Sequence, residues 1–181
     1  MLFRSELDVA VVEGPVHLDG LAHYPWREER LIMVAPPGFG DDGARYVKGQ
    51  ERGGRALWMS PTDLAHSTWL VREAGSGTRE VSFDLLAAQG IRPRRTVEIG
   101  SNEGIARAVA SGLGVAMLPF VVVEDLLQLN RVIELRTAEM SGLTRVLYRL
   151  ERRDRPPSPA VGAFLDILAT PTHAFHRDGA A

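Results

Sequence analysis

Two strand–glycine–helix units in close succession constrain this chain more than any other feature. In the first, Trp69-Leu70-Val71-Arg72 reads as a strand and Gly75-Ser76-Gly77 as a turn. A helix follows from Thr78 to Gln89, with Val81, Leu85 and Ala88 on one face and Phe83 and Leu86 beside it. Gly90 stands where a left-handed helix-ending residue belongs. In the second, Thr96-Val97-Glu98-Ile99 is a strand, Gly100 a turn and Ser101 an N-cap. Glu103 falls in the first helical turn, where the dipole favours an acid. Ile105, Ala108 and Val109 form the apolar stripe, and Gly112 ends the helix. Strands alternating with helices in this way specify an α/β fold.

The flanking segments fit the same class. Leu7 to Val12 and Leu31 to Ala35 are short, nearly continuous apolar runs, the pattern of strands buried on both faces. Pro36-Pro37-Gly38 stops the second, and Gly38 to Gly54 reads as an exposed loop. Val115 to Leu118 is a strand ended by Pro119, and a helix from Val121 to Leu129 closes at Asn130, which tolerates a left-handed backbone. Val132 to Leu135 and Leu143 to Leu150 read as strands. Ser158-Pro159 is an N-cap followed by proline, starting a helix that carries Val161, Phe164, Leu165 and Leu168. Residues 171–181 read as a disordered tail.

Composition removes several function classes. The 181 residues contain no cysteine, which excludes disulfides, zinc–thiolate sites and thiol catalysis. Lys plus Arg is 21 and Asp plus Glu is 23, so the net charge of −2 argues against non-specific nucleic-acid binding by the piece as a whole. The N-terminus lacks the pattern of a signal peptide, and no apolar run is long enough to span a membrane. His17, His23, His66, His173 and His176 form no metal-ligand spacing. Paired acids and nucleophile–base spacings are also missing, so no catalytic residues, metal or cofactor are assigned.

Two turns carry the functional signal. Arg72-Glu73-Ala74-Gly75-Ser76-Gly77-Thr78-Arg79 runs from a strand through glycines into a helix start, where free N–H groups and the dipole favour an anion. Arg72 or Arg79 could add a charge-assisted bond. The plainer reading is that Ser76 or Thr78 caps the helix while the glycines make the turn. The segment is neither a Walker A loop, a dinucleotide fingerprint nor a nucleophile elbow. Gly100-Ser101-Asn102-Glu103 is a second turn of the same kind, with a plain cap as the simpler reading of Ser101. Arg92, Arg94 and Arg95 make a small basic cluster, read as a solvated loop ahead of a phosphate or partner patch.

With these segments in order, the sequence resembles the effector-binding domain of LysR-type transcriptional regulators. Leu7 to Gly14, Leu31 to Pro37, Trp69 to Arg79, the run EIGSNEGIARAVASGLGVAMLP from Glu98 to Pro119, and Ser158 to Leu168 carry the resemblance. It implies a type 2 periplasmic-binding-protein-like two-lobed α/β fold, with the first lobe incomplete in this chain. On that template, residues 1–45 belong to the first lobe, 46–61 to a loop and lobe crossing, 62–148 to the second lobe, and 149–170 return to the first. Ala35, Pro36, Ser76, Gly77, Thr78, Arg79, Gly100, Ser101 and Asn102 become candidate ligand-binding residues. The expected partner is a small-molecule effector, an anion or organic acid. Cytoplasmic location and a homo-oligomer are also implied. DNA would be reached only through the family's helix-turn-helix, which this sequence does not contain. A free-standing periplasmic-type solute-binding protein and a non-functional gene remnant are the alternatives.

Overall fold

A computed structural model gives the fold and describes residues 7–13, 19–40, 56–138, 142–154 and 156–170. Most of the loop expected over Gly38 to Gly54 and the tail expected over 171–181 lie outside the described residues. The chain divides into two compact units: 1–27 with 147–181, and Glu28–Val146. The strands β2 (Leu21–Ala35) and β8 (Thr144–Arg152) are covalently part of both.

The unit Glu28–Val146 is a sheet with helices on both faces. The second half of β2 pairs antiparallel with β6 (Ala116–Pro119), Leu31 opposite Pro119, and with β7 (Ile133–Arg136), Ala35 opposite Ile133. The short β3 (Ala56–Trp58) runs parallel to β7. On the other side, β4 (Thr68–Val71) and β5 (Arg95–Glu98) are parallel partners. A parallel bridge between Trp69 and Val115 joins β4 to the strand that continues as β6. All these strands therefore run one way except β2, which runs against them.

The apolar runs of the sequence are explained by this layering, because alternate side chains of one strand point to opposite faces. Leu31, Met33 and Ala35 pack with Trp69, Val71, Val115 and Met117 in one core, against Leu64 of α1 (Pro61–His66) and Leu86 of α2 (Gly77–Ala88). Ile32, Val34, Leu70, Ala116 and Leu118 face a second core, with Ile105 and Val109 of α3 (Asn102–Ala110) and Val123 of α4 (Phe120–Gln128). Asn130 takes the left-handed conformation expected of it, with φ 53°. The helix starting at Ser60-Pro61 was not expected from the sequence; Ser60 caps it by accepting from the Asp63 N–H.

In the other unit, β1 (Val9–Glu13) pairs antiparallel with β8, from Val9 opposite Glu151 to Glu13 opposite Leu147. Burial on both faces was expected for this strand. Instead, among the described residues, β1 is the end strand of its sheet, half-buried, with Val11 41 % exposed. α5 (Pro159–Ala169) is capped by Ser158 as expected, yet none of its residues is fully buried. Trp26 of β2 donates to its Leu168 carbonyl at 2.8 Å.

Candidate functional site

The two turns singled out in the sequence come together because β4 and β5 are parallel neighbours. α2 leaves the C-terminal end of β4, and α3 leaves that of β5. Both helix starts therefore open at one edge of the sheet, the position where α/β folds bind ligands. Their first N–H groups have no partner within the helix and carry the positive end of its dipole. Thr78, Arg79, Ser82, Asn102 and Phe83 line a common pocket there, floored by apolar atoms of Trp69, Leu86 and Met117.

Local chemistry separates the residues of each turn. Ser101 does cap α3, accepting from the Gly104 N–H at 3.0 Å. Gly104 is required at that cap, since a Cβ there would stand 2.9 Å from the Ser101 oxygen and 3.0 Å from Ile99. Ser76 sits at the N-cap position of α2 but makes no side-chain cap bond. Thr78 is buried and accepts from Arg145 Nη1 at 3.1 Å. Ser82 Oγ and Asn102 Oδ1 are buried without a hydrogen-bond partner, and both residues line the pocket. Buried polar atoms are nearly always paired, so an orphan asks for an explanation.

The two arginines suggested as anion ligands are already engaged. Arg72 forks onto its neighbour Glu73, with Nε at 2.8 Å and Nη2 at 2.7 Å from the carboxylate oxygens. These bonds from Arg72 hold the Glu73 carboxyl well below its ordinary range, at about 2. Arg79 donates to the Arg72 carbonyl at 2.9 Å and to Glu98 at 2.8 Å, with its guanidinium over the Phe83 ring. It clamps the first turn of α2 to the ends of β4 and β5.

Ala35 and Pro36 are not brought to this place. Ala35 pairs with Ile133, the first residue of β7, so it lies at the opposite edge of the sheet, where β6 and β7 begin. Its side chain is fully buried. Because β2 runs against its neighbours, it is Glu29 that lies toward the helix starts. Glu29 pairs with Arg145, which is itself bonded to Thr78. Neither Glu29 nor Arg145 was singled out in the sequence. Glu29 sits inside the charged run Arg27-Glu28-Glu29-Arg30, and Arg145 shares its strand with Arg149, Glu151 and Arg152, so neither stands out from its neighbours.

With the geometry fixed, the comparisons with known proteins are decisive. The family model of the LysR substrate binding domain matches residues 1–171. The chain belongs to the LysR substrate-binding domain family. It is 33 % identical over 160 residues to the HTH-type transcriptional regulator YeiE of Escherichia coli K12, covering 88 % of this chain and 50 % of that protein. The RuBisCO operon transcriptional regulator of Allochromatium vinosum is 26 % identical over 178 residues, 97 % of this chain and 54 % of that one. The LysR-type chain thus spans about half the length of the curated relatives it matches. Among solved structures, the Synechocystis PCC6803 CcmR regulatory domain in complex with 2-PG is similar with a TM-score of 0.70 at 24 % identity, over 91 % of this chain and 73 % of that one. The effector binding domain of QuiR in complex with shikimate gives 0.68 at 18 %, over 91 % and 71 %. At such identities the likeness speaks for the fold, which is the type 2 periplasmic-binding-protein-like α/β fold of LysR effector-binding domains.

Proposed function

We propose that this LysR-type chain is the effector-sensing part of a transcriptional regulator, and that its effector is a small anion: an organic acid or a phosphate ester. The observation that carries this reading is the pairing of two helix starts with two orphaned buried oxygens, Ser82 Oγ and Asn102 Oδ1, around one pocket. Helix N–H groups suit anionic oxygens. A ligand hydroxyl or a bound water would satisfy the orphans. The binding residues in this reading are Ser76, Gly77, Thr78 and Arg79 with Gly100, Ser101 and Asn102, joined by Ser82; Ala35 and Pro36, on the far edge, take no part. Shikimate, the ligand of the QuiR domain, is a carboxylate, in keeping with this chemistry.

The chain is read as a sensor and not an enzyme, because the relatives it matches are transcriptional regulators. Its relatives are HTH-type regulators, so DNA contact is assigned to the helix-turn-helix segment of such a protein and its place to the cytoplasm. Among the described residues no helix is long and apolar enough to cross a membrane.

The test is a thermal-shift panel with phosphate, sulfate, shikimate and 2-PG against chloride. At a hundredfold excess over Kd, one bound ligand adds about 2.7 kcal/mol, which for a domain of this size raises Tm by roughly 5–10 °C. Combining Ser82→Ala with Asn102→Ala is expected to weaken the effective anion about tenfold. A folded sample whose Tm no anion moves would contradict the reading. Self-association also belongs to the proposal, since β1 is an end strand with apolar side chains half exposed. Light scattering at high concentration should show oligomers, and a clean monomer would refute that part.

A further inference from the structure

Arg145 is the charged residue with the least exposure among those described, 6 % overall and 3 % in its side chain. Its Nε lies 2.6 Å and its Nη2 2.5 Å from one carboxylate oxygen of Glu29, and its Nη1 donates to Thr78 Oγ1 at 3.1 Å. These three residues come from three places that matter. Thr78 is in the first turn of α2. Glu29 is on β2 and Arg145 on β8, the two strands that continue from the unit Glu28–Val146 into the other unit. Both charges stand within a residue or two of the point where their strand leaves.

Packing alone does not ask for this arrangement. Taking a guanidinium and a carboxylate out of water is costly, and well-packed apolar residues of similar volume are often as stable. What the pair provides is direction. A guanidinium is a rigid planar fork, so fixing two of its nitrogens on Glu29 fixes where the third can point. That third nitrogen points at the Thr78 hydroxyl. We infer that Arg145 is a positioning residue that ties the first turn of α2 to the connecting strand β2 through Glu29. A change at either end is then felt at the other, and for binding the influence is reciprocal. The inference rests on the proposed reading of the α2 start as the effector end.

The experiment uses the ¹⁵N-labelled 181-residue chain. Without ligand, Glu29→Gln should move the amide resonances of Gly77 and Thr78. In an Arg145→Met background the same change should leave them in place; if that variant does not fold, Arg145→Lys, which keeps the charge and loses the fork, serves instead. Unmoved Gly77 and Thr78 amides with Arg145 intact, or equal movement in both backgrounds, would overturn the inference. In a second arm, inorganic phosphate is titrated. The Arg145 Nε–H resonance should move with the Gly77 and Thr78 amides along one binding curve, and the Arg145 variant should bind about tenfold more weakly. Phosphate binding at Gly77 and Thr78 with Arg145 unmoved and Kd unchanged would overturn the coupling while leaving the anion site standing. If the first arm succeeds and phosphate moves none of the three, the positioning role stands and the anionic reading falls.

Discussion

Gly114→Ala is expected to lower Tm by roughly 10 °C or to leave the chain unfolded, and the cause is a single backbone oxygen. A Cβ at position 114 would stand 2.3 Å from the Thr68 carbonyl oxygen and 3.2 Å from its carbon. Real contacts of that kind are about an ångström longer, and the obstacle is backbone, with no rotamer to give way. The same carbonyl accepts the Val115 N–H at 2.9 Å, and the Val115 carbonyl accepts from Leu70 at 2.8 Å. Separating the strands enough to admit the methyl would break this bridge, the link between the β4–β5 pair and the rest of the sheet. Overpacking costs about 1–3 kcal/mol, and each lost backbone bond adds about 1. A total near 4 kcal/mol corresponds to roughly 10 °C for a domain of this length. Circular-dichroism melting decides it: a variant within about 2 °C of the parent would show that the two strands can part without cost. The position matters for function because β4 delivers the start of α2.

Glu29→Ala is the second large effect. It takes the Glu29 carboxylate away from the Arg145 guanidinium, whose side chain is 3 % exposed, and leaves the Thr78 hydroxyl beside it. Removing one partner of a buried pair typically costs about 3–5 kcal/mol. Replacing both, Glu29→Leu with Arg145→Met, should recover most of that loss by apolar packing. Urea unfolding of the single and double variants measures both. If Glu29→Ala costs less than about 1 kcal/mol, or if the double variant is worse than the single, the pair is solvated in solution and the packing account fails.

Most of the unit Glu28–Val146 was legible in the sequence because its signals are local. The glycine turns, the Ser101 cap, the Gly112 helix end and the left-handed Asn130 each depend on a few neighbouring residues, and each is where it was expected. The Leu31–Ala35 run, expected to be buried on both faces, is so buried. What was missed is either short or non-local. β3 has three residues and leaves no period to read. α1 has six, although its Ser60-Pro61 start repeats the Ser158-Pro159 signal recognised at α5. β2 was read only from Leu31, since Pro25 and the charges Glu28, Glu29 and Arg30 interrupt its pattern. Yet that charged stretch brings Glu29 to the helix starts.

The candidate site shows the same division. Ser76 to Arg79 and Gly100 to Asn102 were readable because a glycine turn before a helix is a local device. Their meeting at one sheet edge needed the parallel pairing of β4 with β5. Ala35 and Pro36 fall at the other edge because β2 is antiparallel to β6 and β7, a relation no local pattern encodes. Ser82 was invisible for a related reason: a serine one turn into an amphipathic helix reads as ordinary until the opposite wall of the pocket is known. Exposure of β1 and α5 was likewise not encoded in their own apolar patterns, which specify what could be buried and not what covers it.

The most direct test of the central claim is a crystal structure of the chain with the most stabilising anion from the thermal-shift panel. The account predicts the anion at the shared start of α2 and α3, its oxygens within hydrogen-bond distance of the Gly77, Thr78 or Asn102 N–H groups and the Ser82 hydroxyl newly partnered. An anion held only by the Arg92, Arg94 and Arg95 cluster, with the helix starts unchanged, would contradict it.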